Sequence, residues 1–177
     1  MIEESNINKI LFQLDQALES KNIERTFTIF GSSALIIQGL ASDNRTTVDI
    51  DIVDPEIDTE LLLISMDISS QLGLEISWLN SAGYIFSKNF PIGWKDRTIL
   101  TYKGSNLKVF CLSRKDLIAS KFLAYCQRSS NTDFIDLTAL APAHKEIAFV
   151  EEWLMKRPDF SVLKENFYKT KTKLEAV

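Results

Sequence analysis

The chain has 177 residues, 45% of them hydrophobic and 25% charged, enough for a soluble domain to bury a core without disulfides or structural metals. A formal net charge of −4 argues against a generally basic nucleic-acid binder, while a local basic groove stays open. Cys111 and Cys126 are too few and too isolated for a disulfide framework or a zinc site, and they read as buried thiols in a reducing compartment. The acidic N-terminus lacks the basic start and apolar run of a signal peptide, and no window approaches the roughly 18 apolar residues of a membrane span. A cytoplasmic protein without a membrane partner is expected.

Residues 6–21 predict an amphipathic helix, with Ile7, Ile10, Leu11, Leu14 and Leu18 on one face. Residues 26–30 are β-branched and aromatic and read as a strand ending at Gly31; residues 32–38 then read as a helix closed by Gly39. After a polar loop, residues 46–53 alternate. Val48, Ile50 and Ile52 face one way and Thr47, Asp49 and Asp51 the other, as in a strand with an apolar and a carboxylate face. Pro55 ends it. Residues 58–72 have helical length and spacing, 74–78 read as a short strand, and 80–95 as a loop-rich connection. Residues 98–102 and 107–112 form a hairpin around Lys103-Gly104-Ser105-Asn106. Four helices follow, near 114–127, 132–140, 144–156 and 160–174. The order predicts an α/β (α+β) fold, a mixed sheet flanked by helices. It reads as one domain over 1–177, with its core near 26–112 and a helical C-terminal portion near 113–177.

Two neighbouring features carry chemistry. Gly31-Ser32-Ser33 lies at a strand-to-helix junction, where backbone N–H groups and hydroxyls favour an anion such as a triphosphate. Alone, such a tripeptide is most often an ordinary turn with a helix cap. Asp49 and Asp51 place two like charges on one strand face, and a divalent cation relieves their repulsion; Mg²⁺ prefers carboxylate and phosphate oxygens. Alone, an Asp-x-Asp is more often a solvated strand face or turn. Their succession on adjacent elements is far more specific than either part.

Gly31-Ser32-Ser33 followed by Arg45-Thr46-Thr47-Val48-Asp49-Ile50-Asp51 resembles the signature of the nucleotidyltransferase superfamily, and its AbiEii/AbiGii toxin-like branch in particular. Later landmarks of that branch are matched by Trp78-Leu79-Asn80, by Pro91-x-Gly93-Trp94, by residues 112–121 and by residues 128–137, so the resemblance covers roughly 26–141. It implies a metal-dependent transfer of a nucleoside monophosphate from an NTP to a hydroxyl of RNA (tRNA included) or protein. Mg²⁺ or Mn²⁺ would be the cofactor and an antitoxin a possible partner. Asp49 and Asp51 would hold the metal, Gly31, Ser32 and Ser33 the triphosphate, and Arg45 would close over the same anion.

Lys121 falls beside Leu117, Ile118 and Tyr125 on a helix, where it either snorkels outward or points into a cleft. Arg128, seven positions on, aims a second cation the same way, towards nucleotide phosphates or transition-state charge. Asp133 lies near a helix start, where it complements the dipole. Asp136 lies one turn later, within reach of Lys121 or Arg128. In the resembling proteins a lysine and a later aspartate of this region join the active site, which carries those roles to Lys121 and to Asp136 or Asp133. Many polymerase-like relatives add a third acid from a later strand. The strand candidates 98–102 and 107–112 contain none, and Glu75 is the one substitute. That gap keeps a second reading alive, a catalytically inactive nucleotidyltransferase-like module that binds a nucleotide or a protein.

Overall fold

A computed structural model describes residues 1–176. The chain divides into a sheet unit, residues 1–89 and 93–113, and a helical unit, residues 90–92 and 114–176.

The sheet unit begins with helix α1, Ile7–Ser20, whose apolar stripe buries Ile7, Ile10, Leu11, Leu14 and Leu18 as its spacing predicts. Strand β1, Arg25–Phe30, runs into the short helix α2, Gly31–Ile37. Strand β2 is Ile50–Asp54 and helix α3 is Thr59–Leu72. Asp58 caps α3 by accepting the Leu61 N–H at 2.8 Å, and Gly73 ends it in the left-handed region at φ 64°. Strand β3 is only Leu79–Asn80, and 3₁₀ turns follow over Ala82–Asn89 and Lys95–Arg97. Strands β4, Ile99–Lys103, and β5, Leu107–Cys111, make the expected hairpin.

The five strands form one mixed sheet in the order β3-β2-β1-β5-β4. β1 at its centre runs antiparallel to β2 and parallel to β5, while β2 runs parallel to β3. Phe27 and Ile29 of β1, Ile50 and Ile52 of β2 and Leu107 and Val109 of β5 are all buried. Trp78 closes the core beside α3, its indole N–H donating to the Ser65 carbonyl at 2.7 Å. Asp15, 3% exposed on α1, accepts the N–H groups of Ser105 and Asn106 at 3.0 and 2.8 Å and so fastens the β4–β5 turn to the helix.

Two strand expectations are corrected. Residues 46–49 do not extend β2, because Thr47 exchanges its backbone bonds with Ile2 at 2.8 and 2.9 Å instead of with the sheet. Val48 is then left 46% exposed rather than on an apolar face. Residues 74–78 form a turn, and the ladder is taken by Leu79 and Asn80.

The helical unit holds α4, Arg114–Arg128; α5, Asn131–Leu140; α6, His144–Met155; and α7, Phe160–Glu175. Leu117, Ile118, Phe122, Leu137, Ile147, Val150 and Phe167 are among its buried apolar side chains, with the Phe122 and Phe167 rings 5.5 Å apart. Arg114 ties α4 to α6 through Glu146 at 3.0 Å. Burial pushes the Glu146 carboxyl up, but the Arg114 and Ala143 hydrogen bonds outweigh it and hold the group below its ordinary 4.5. Among the described residues no helix is long and apolar enough to cross a membrane.

Candidate functional site

The β-branched and aromatic run of β1 ends at Phe30, and the chain must turn at once to start α2. Gly31 makes that turn at φ 73°, a conformation that costs an L side chain about 1–2 kcal/mol. Across the sheet, Phe30 lies opposite Asp51, and Asp51 lies opposite Asn80. Glycine therefore sits beside a half-buried carboxylate: a Cβ built on Gly31 would come 3.4 Å from Asp51 Oδ2.

Arg45 brings positive charge to the same turn. Its Nη2 donates to Ser32 Oγ at 2.5 Å, and its Nη1 donates to the Thr46 carbonyl. α2 is only seven residues long, so its dipole adds little, and the guanidinium is the stronger attraction for an anion. Ser33 is buried and its hydroxyl donates to the Phe30 carbonyl at 3.3 Å. Asp49 stands one residue before β2, and one of its oxygens, Oδ1, accepts the Thr47 hydroxyl at 2.9 Å.

Glu75 lies in the exposed turn before β3, outside the sheet. The polar residue that β3 sets beside Asp51 is Asn80, whose Oδ1 accepts the Ala82 N–H at 2.8 Å. Asn80 was legible only as part of the Trp78-Leu79-Asn80 landmark; nothing in its local pattern marks it as Asp51's neighbour. Among the described residues no three His, Cys, Asp or Glu side chains gather as a metal-binding group. A cleft of about 530 Å³ beside Arg45 is lined by Glu3, Glu4 and Asp43 as well, and three carboxylates against one guanidinium make it a poor triphosphate site.

The other expected site residues converge in the helical unit. Lys121 is 5% exposed and does not snorkel; its Nζ lies 2.6 Å from Asp136 Oδ2 and 3.3 Å from Asp133 Oδ1. Arg128 grips Asp133 with two bonds, Nε to Oδ2 at 2.7 Å and Nη2 to Oδ1 at 3.0 Å. Asp133 is thus an ion-pair partner rather than only a helix-start charge, and Asp136 pairs with Lys121. Two cations and two carboxylates balance, and their charge-assisted bonds offset the cost of burial.

The model of a family described as nucleotidyltransferase of unknown function (DUF6036) matches residues 8–174. The chain belongs to this nucleotidyltransferase family. The match spans both the sheet unit's turn and carboxylates and the charge cluster of the helical unit. The solved solution structure of the antibiotic-resistance factor ANT(2'')-Ia is similar at 16% identity and a TM-score of 0.46, covering 98% of this chain and 97% of that one. At that level it assigns no residue of this family member a role. Comparison with curated proteins finds no match.

Proposed function

We propose that this member of the family is a metal-dependent nucleotidyltransferase that moves a nucleoside monophosphate from an NTP to a hydroxyl of RNA or protein. The observation that carries the reading is the shared rung of the sheet: Gly31 follows the residue opposite Asp51, with Arg45 bonded to Ser32 of the same turn.

The residues present fit a divalent cation. Asp49 and Asp51 offer hard carboxylate oxygens, and Gly31, whose Cβ would stand 3.4 Å from Asp51 Oδ2, puts no side chain beside that oxygen. Two carboxylates suffice for Mg²⁺ or Mn²⁺ when substrate phosphates complete the shell, so the lack of a third acid does not exclude the cation. When bound, the ion neutralises charge developing on the transferred phosphoryl group. The turn's backbone N–H groups and the Ser32 hydroxyl bind the triphosphate, and Arg45 orients it through paired donors. The acceptor oxygen forms a bond to the α-phosphorus while the bond from that phosphorus to the bridging oxygen breaks. Pyrophosphate leaves, and the hydroxyl proton passes to solvent. Lys121 and Asp136 belong to the proposal as phosphate-contacting lysine and its aspartate, with Arg128 as a second cation. The finer likeness to AbiEii/AbiGii-type proteins belongs to it too, and with it a toxin role, an antitoxin partner and a cytoplasmic setting.

The test is incubation with Mg²⁺ or Mn²⁺, labelled NTPs and either total tRNA or total protein. Transfer of label is expected, and its persistence in the combined Asp49→Ala and Asp51→Ala variant would overturn the assignment. The missing third acid favours one second reading, a module that binds nucleotide without turning it over. Calorimetry separates the two: heat of NTP binding without pyrophosphate release supports the silent module. A chain that meets no nucleotide at all would show no rise in Tm with NTP and Mg²⁺.

A further inference from the structure

Asp49 has a difficulty as a metal ligand that Asp51 lacks. Asp51 is held in the ladder between β1 and β3, whereas Asp49 lies just outside β2, next to the exposed Val48. A carboxylate on such a segment must lose backbone and rotamer freedom on binding, and that loss weakens any cation it holds. Ile50 holds the backbone on one side, its N–H donating to the Trp78 carbonyl at 2.5 Å, and on the other side two restraints pass through Thr47. Its backbone is bridged in both directions to Ile2, a fully buried residue. Its hydroxyl donates to Asp49 Oδ1 at 2.9 Å. Ile2 is itself held by a clasp at the start of α1, where Asn6 accepts the Glu3 N–H and donates to the Met1 carbonyl, both at 3.0 Å.

Resting on the proposed metal reading, we infer that Thr47 is the positioning residue of the carboxylate pair. Held by the Ile2 bridge, it fixes the Asp49 side chain through Oδ1 and leaves Oδ2 for a divalent cation. An outer partner of this kind orients a ligand without touching the metal, and its removal weakens metal binding by about tenfold or more. A hydroxyl is required because a methyl in its place fills the same volume without donating.

The experiment titrates Mn²⁺ alone into the full chain and follows free Mn²⁺ by electron paramagnetic resonance. Thr47→Val is expected to weaken Mn²⁺ binding by about tenfold, Thr47→Ser to keep it near that of the unmodified chain, and Asp49→Asn to remove it. Thr47→Ala is read in the same way should the valine variant not fold. Unchanged affinity in the valine or alanine variant overturns the inference, and so does a serine variant as weak as they are. Failure of the metal reading looks different: the unmodified chain then binds no Mn²⁺ that Asp49→Asn removes, and the inference falls with it.

Discussion

The clasp between α1 and the β4–β5 turn can be broken from either side, and the costs of the two routes should not add. Asp15→Ala strips the acceptor from two N–H groups at 3.0 and 2.8 Å. Hydrogen bonds to a charged group contribute about 1.5–3 kcal/mol each, and the exposure of Ser105 lets water recover part of that. A net loss of about 2–3 kcal/mol follows, or roughly 5–10 °C in Tm for a chain of this size. Gly104→Ala should cost about as much for a different reason. A Cβ there would lie 2.1 Å from Asp15 Oδ2 and 2.3 Å from its Cγ, so the carboxylate must leave and both bonds go with it. Once Asp15 is alanine, the added methyl meets no carboxylate, and Gly104→Ala should then cost less than about 1 kcal/mol. Urea unfolding of the four proteins of this double-mutant cycle gives the coupling. Amide hydrogen exchange at Ser105 and Asn106 reports locally, with protection lost in each single variant. Costs that add to within about 0.5 kcal/mol would refute the reasoning.

Two further outcomes follow from buried groups. Lys121→Met leaves Asp136, which is 0% exposed, without its 2.6 Å partner and should cost about 3–5 kcal/mol by thermal unfolding. Adding Asp136→Leu should restore much of that, and a stable single variant would refute the account. Burial pushes the Cys111 thiol up to about 12, against weaker lowering by bonds from Thr101 and Gln38, and burial pushes Cys126 up to about 11. Since the unfolded thiols titrate near 9.0, the unfolded chain loses protons first as pH rises. The stability these groups contribute is complete below that value and lost between 9.0 and their folded values. Chemical unfolding measured across that window should show the decline, and Cys111→Val should flatten it.

Some elements were legible because a local pattern fixes them. The run from residue 26 to 30 ends on a glycine in a positive-φ turn, the Lys103-Gly104-Ser105-Asn106 turn sits between two strands, and α1 carries its stripe at helical spacing. Residues 46–49 misled as a strand because the alternation of Val48, Ile50 and Ile52 has that period, and period cannot reveal that Ile2 takes Thr47's backbone bonds. The same limit applies to Glu75 and Asn80: which two residues of that stretch enter the ladder depends on the register with β2, a long-range choice. For Lys121, helical spacing left open whether it snorkels or turns inward and whether Asp136 meets it or Arg128; how α4 and α5 pack decides both.

The placement of the Asp15 clasp also bears on the order in which the sheet unit assembles. Asp51 meets Phe30 across one short connection, whereas Asp15 reaches Ser105 over 90 residues of sequence. The entropy of closing a loop rises only with the logarithm of its length, so the longer closure costs about 1 kcal/mol more than the shorter one. The rung that pairs Phe30 with Asp51 is therefore expected to form ahead of the hairpin's attachment to α1. Weakening the clasp should then quicken unfolding while leaving the refolding rate nearly unchanged.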